Sequence, residues 1–190
     1  MNIEEVIRLN KISDDRINVY SIDRIGDVVD DEMCITILTI YGIPKSVSPY
    51  IDFLEEEKGG FKSVSDFMKM HAIEGDDIPE KEIFKKLYIF GFFNNNYIVL
   101  NDKGEVLYID YERLIITYIN KDLRTFLDIV VKFNLVIDDY YVANPEGDFF
   151  EDGFTDEVLN NFIEYIKSID ERSITDGEFW ILLLEECRDV

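Results

Sequence analysis

The side chains with the widest chemical repertoire are scarce in this sequence. The one histidine, His71, sits in the run HAIEGDD, so any serine or cysteine nucleophile needing an imidazole base would have to use it. No companion motif surrounds it, and a general acid or base works only beside a positioned partner. His71 therefore reads as an ordinary surface or half-buried residue. Cys34 and Cys187 are the only cysteines, too few for a disulfide framework or zinc site and too far apart for a CxxC redox pair. With no activating base nearby in sequence, each reads as a small buried hydrophobe. Neither GxxxxGK nor GxGxxG occurs, so no phosphate cradle is expected.

Carboxylates are the opposite case: 41 acidic residues stand against 19 basic ones, a formal charge of −22. Some pair must lie close in space, so paired-acid hydrolysis is neither excluded nor indicated, and a solvated acidic face is the simpler reading. The stretch DDYYVANPEGDFFEDG, residues 138–153, lacks the alternating ligands and terminal glutamate of a twelve-residue calcium loop. No metal, no cofactor and no catalytic residue is expected. What remains is the field itself, which disfavours nucleic acid and anionic membrane surfaces as partners and attracts basic ones. Its best candidate locus is the segment after Leu135, giving Asp138, Asp139, Glu146, Asp148, Glu151 and Asp152 as partner-binding candidates. The alternative is that the charge only keeps the chain in solution.

These residues need a scaffold. The 190 residues, 47% hydrophobic and 14% aromatic, suffice for a single domain that buries roughly 70% of its unfolded surface. A strand-rich centre is expected from Leu87 to Asn120. Leu87 to Phe93, in a segment opening at Ile83, is too apolar and aromatic for a surface helix. Asn94, Asn95 and Asn96 turn the chain; Tyr97–Leu100 and Val106–Ile109 form a hairpin around Gly104, and Leu114–Ile119 adds a strand. Asn120 is placed to cap a helix carrying Leu123, Phe126, Leu127, Val130 and Val131. Thr155 starts another, with Leu159, Phe162, Ile163 and Ile166 as its apolar stripe, and Gly177–Arg188 reads as the last helix. Trp180 and the aromatics around Phe92 read as core rather than as ligand platforms.

Upstream the pattern is weaker. Ile3–Leu9 reads as a short amphipathic helix, Ile12–Glu32 as weak strands or loops, and Met33–Tyr41 as a helix or strand ended by Gly42 to Pro44. Glu55 to Gly60 reads as a solvated loop tip. No stretch reaches the ~18 apolar residues of a membrane span and the acidic N-terminus does not read as a signal peptide, so a cytoplasmic location is expected.

The order FGFFNNNYIVLNDKGEVLYID followed by RLIITYINKDLRTFLDIVVKF resembles the SUKH superfamily of bacterial immunity proteins, most closely its fourth family. The matching positions are Tyr97 to Leu100, Gly104, Tyr108 to Asp110 and Ile119 to Leu127. Gly42-Ile43-Pro44 is similar to the family's Gly-Leu-Pro and Phe179-Trp180 to its C-terminal Phe-Trp. The sequence departs from the family in the acidic insert near Asp138 to Gly153 and at Asn94 to Asn96. The resemblance implies an α+β fold, one SUKH-like domain over 1–190 with an antiparallel sheet (strand-rich core about 83–120) packed by helices (C-terminal helices about 121–188). It also implies a role in neutralising a polymorphic toxin, often a nuclease or deaminase. A signalling or scaffold module of the same fold, without a toxin partner, is the alternative, and a carboxylate-based hydrolase a third reading.

Overall fold

The computed structural model describes residues 17–47, 51–71, 82–147 and 149–188; the helix expected over Ile3–Leu9 lies outside them. The fold is α+β. A seven-stranded sheet, antiparallel in every pairing, runs β3 (Ser46–Val47), β4 (Ile51–Phe53), β6 (Leu87–Phe93), β7 (Asn96–Asn101), β8 (Val106–Asp110), β9 (Ile115–Asn120), with β5 (Lys62–Ser63) alongside the first half of β6. A separate two-stranded ribbon joins β1 (Ile17–Asn18) to β2 (Ile43–Pro44).

Turn chemistry sets the register. Phe93 pairs with Asn96 across a two-residue hairpin whose central Asn94 and Asn95 have φ of 47° and 63°, the doubly positive geometry that matches strand twist and that asparagine tolerates. In the next hairpin the Asn101 carboxamide oxygen accepts from the Lys103 and Glu105 amides, both at 2.9 Å, and Gly104 takes φ 82°.

A bulge between Ile89 and Gly91 shifts side-chain parity along β6. Strict alternation would place Phe90 and Phe92 on one face and Phe93 on the other. Instead Phe90 and Phe93 both enter the larger core, and Phe92 packs on the smaller one across the sheet.

The larger core lies beneath α4 (Leu123–Ala143), α6 (Asp156–Ile169) and α8 (Phe179–Glu186), with the single turns α5 (Phe149–Asp152) and α7 (Arg172–Thr175) between them. The smaller is covered by α3 (Val64–His71) and a 3-10 turn, Glu82–Lys86. That turn corrects the expected strand start at Ile83. Phe84 is fully buried while Ile83 is 48% exposed, a helical division of faces, and pairing begins only at Leu87.

The segment read as weak strands or loops also holds a helix, α1 (Ile22–Ile25), and at its last residue begins α2 (Glu32–Thr36), capped by Asp31, whose carboxylate accepts from the Cys34 amide at 2.8 Å. Met33–Tyr41 resolves as helix, α2 continuing into a π-helical turn over Ile37–Tyr41 that closes with the Gly42 amide donating to the Ile37 carbonyl. Gly42 has φ 75° and ψ 174°, a region open essentially to glycine alone, and a Cβ there would lie 2.2 Å from Ile17 Cγ2.

α4 departs from expectation at both ends. Its cap is Asp122, whose side chain accepts from the Thr125 amide at 2.6 Å, not Asn120. Its 21 residues run past Leu135 through Asp138 and Asp139 to Ala143, about 31 Å at 1.5 Å per residue. The last helix is shorter than read, Phe179–Glu186 rather than Gly177–Arg188, and Trp180 is fully buried within it.

Candidate functional site

The second half of α4 and the length of α6 flank an apolar groove of about 490 Å³. Helical periodicity places its walls. Lys132, Val136, Asp139, Tyr140 and Ala143 recur along one side of α4, and Val158, Asn161, Phe162 and Tyr165 along one side of α6, spacings of three and four that stack on a single helix face. Phe154 completes the lining; it packs on Phe149 with ring centres 4.6 Å apart and is tethered where its amide donates to the Cys187 carbonyl at 2.7 Å. Thr155 caps α6, as its sequence position predicts, accepting from the Val158 amide at 3.5 Å.

Some of the candidate acids meet at this groove. Asp139 lines it, and Asp152, exposed at the end of α5, accepts a short hydrogen bond from the hydroxyl of Tyr140, another lining residue. Asp138 is exposed on α4 outside the lining, and Glu146 is exposed in the connection that follows. Glu151 belongs to α5; Asp148 lies outside the described residues. The last turn of α4 carries no basic residue, so the negative pole of a 21-residue helix adds to the field of Asp138 and Asp139. Sequence reasoning found the acids but not the groove, because its walls come together only where the second half of α4 faces α6.

The histidine and the two cysteines are not among the residues that line the groove. His71 is exposed and packs on Phe67 with ring centres 4.4 Å apart. Both cysteines are buried, and burial above all pushes each thiol up to about 12, leaving them protonated and unreactive at neutral pH. Among the described residues no three His, Cys, Asp or Glu side chains converge as a metal site would require, and no helix is long and apolar enough to cross a membrane.

One polar cluster went unread in the sequence. Asp170, 7% exposed and the only carboxylate in the buried class among the described residues, accepts from the Tyr118 hydroxyl and the Lys121 amide, both at 2.8 Å, and more distantly from Asn120 at 3.4 Å. Asn120, fully buried, donates to Ser173 Oγ at 2.7 Å and accepts from Trp180 Nε1 at 3.2 Å. Gly177 makes the approach possible, since a Cβ there would lie 2.3 Å from the Tyr118 carbonyl oxygen. Each polar group serves another, and the result is a staple between β9 and the C-terminal helices rather than a site open to substrate.

Burial works to raise the Asp170 pKa, but the hydrogen bonds from Tyr118 and the Lys121 amide, with those of Ser173 and Asn120, hold the carboxyl below its usual range. A depressed folded pKa contributes stability above the unfolded value of about 3.9 that is lost as pH falls through the folded value. The stability gap between the native chain and Asp170→Asn should therefore narrow on acidification from about pH 5 to about pH 2. Urea unfolding of both proteins at several pH values measures it; a gap constant across that range would deny the carboxylate this role.

No protein-family model, curated protein or solved structure matches the chain.

Proposed function

We propose that the chain is an immunity protein of the kind its central sequence resembles. It binds a cognate bacterial toxin in the cytoplasm, a nuclease or deaminase with a basic cleft, and blocks that cleft without chemistry of its own. The observation that supports this reading best is the groove between α4 and α6, apolar along its floor and bordered by Asp139 and Asp152. A hydrophobic side chain seated there gains roughly 1.5–3 kcal/mol from burial. The surrounding carboxylates steer a basic surface toward it and repel acidic competitors.

Co-expression with the product of the adjacent gene tests the reading. Cells producing that product should survive when this chain is present, and the two should co-elute on size exclusion. Toxicity without rescue, together with no complex, would sink the immunity reading and leave a binding module for some other partner.

A further inference from the structure

Among the described residues, the face of the sheet turned away from the groove is only partly covered. Beside α3, a hollow of about 1030 Å³ opens between the Asn94–Asn95 turn, the loop carrying Tyr111 and the exposed side chains of Met70 and His71. Aromatic rings form its floor in a connected set. Phe67 lies 6.0 Å from Phe92 and 5.8 Å from Tyr97, Phe92 lies 5.6 Å from Tyr97, and Tyr97 lies 5.4 Å from Tyr111, centre to centre. At these separations the rings pack on one another and present a platform with no slot between them. Phe92 is half-buried and Tyr111 is 48% exposed. The Tyr111 loop is fixed from below, where the Asn96 carboxamide oxygen accepts from the Tyr111 amide at 2.9 Å.

Tyr97 supplies a second observation. It is 9% exposed and lines the hollow, yet its hydroxyl makes no hydrogen bond among the described residues, whereas the comparably buried Tyr108 and Tyr118 hydroxyls are engaged by Asn96 and Asp170. That hydroxyl is not sealed from water, so it stands in the wall of the hollow as a hydrogen-bonding group that a ligand can engage. Burial, with the neighbouring Tyr111, pushes its pKa up to about 12, so it stays neutral and can accept as well as donate.

The rim is acidic. Asp52 and Glu57 line the hollow and make no ion pair among the described residues, while Lys58, the one lysine among its described lining residues, is paired with Glu55 at 3.0 Å. We propose that this hollow docks an arginine side chain of a protein partner: the guanidinium lies on the exposed faces of Phe92 and Tyr111, donates to the Tyr97 hydroxyl and faces the carboxylates of Asp52 and Glu57. Arginine fits better than lysine because its flat, weakly hydrated cation stacks on rings while its edge donates hydrogen bonds. The site is separate from the groove, since Phe67, Phe92 and Tyr97 belong to the smaller core and the groove's Val136, Tyr140, Phe154 and Phe162 to the larger.

Amide chemical-shift titration of the full chain at about 0.15 M salt, where long-range attraction is screened beyond about 8 Å, tests the proposal with tetra-arginine, tetralysine and tetracitrulline peptides. Tetra-arginine should perturb the surroundings of Phe92, Tyr97 and Tyr111. Tyr111→Ala and Tyr97→Phe should each weaken it about two- to fivefold, and tetralysine and tetracitrulline should bind less tightly. Asp138→Lys with Asp139→Lys, on the far side of the sheet, should leave these shifts in place. Equal binding of the arginine and lysine peptides, equal binding of the citrulline peptide, or an affinity indifferent to both tyrosine variants would overturn it.

Discussion

Asn120→Ala should lower the unfolding free energy by about 2 to 4 kcal/mol, because it strands Trp180 Nε1–H in a buried site at roughly 1–3 kcal/mol, removes one of the two partners of Ser173 Oγ and leaves a small void. Asn120, Ser173 and Trp180 are each 0% exposed, so water cannot reach the orphaned group without opening the packing. A loss of this size would consume much of the 5–15 kcal/mol typical of a folded domain. Trp180 is the only tryptophan, so its fluorescence during urea unfolding reports on both the site and the transition. A change below about 1 kcal/mol would mean that the staple is not the energetic anchor inferred from its geometry.

The second large effect concerns association. Asp138→Lys with Asp139→Lys should slow binding of a basic partner about 10- to 100-fold at low salt, since on-rates of this type depend on complementary fields. The same substitutions should stabilise the free protein slightly, by about 0.3 kcal/mol per charge or less, because they place cations one turn before the negative end of α4 and reduce the net negative charge. Opposite signs make the outcome sharp. Stopped-flow association and thermal unfolding of one variant distinguish lost steering from lost folding, and an unchanged on-rate would place the interface away from this end of the molecule.

The sequence made much of the scaffold legible wherever the signal was local. The Tyr97–Leu100 and Val106–Ile109 hairpin, the Asn94–Asn95 turn and the Thr155 cap are carried by residues within a few positions of their partners. Asn120 shows where local reading fails. An asparagine between a strand and an apolar helical pattern fits a cap, but Asp122 takes that role, and Asn120 answers to Ser173 and Trp180 more than 50 residues away. The bulge at Phe90 escaped for a related reason: a one-residue parity shift leaves composition unchanged, so Phe90, Phe92 and Phe93 look alike in sequence while facing two different cores.

The candidate site was legible by half. Charge density pointed to Asp138, Asp139 and Asp152, but the groove beside them exists because α4 continues past Leu135 to face α6. Tyr97 and Tyr111 gave no signal, since one sits in an apolar strand and the other in a polar loop, and only tertiary proximity makes them a platform.

The staple at Asn120 also constrains the order of events on the ribosome. Asn120 and Trp180 are 60 residues apart, so at about 5–20 residues per second the strand waits about 3–12 seconds for the indole that will satisfy it. Through that interval the nascent sheet presents Phe90, Phe93 and Ile98 without the helix that carries Phe179 and Trp180. Slow codons between these positions would prolong that exposure, and a chaperone that shields nascent apolar surface would have its clearest opportunity there.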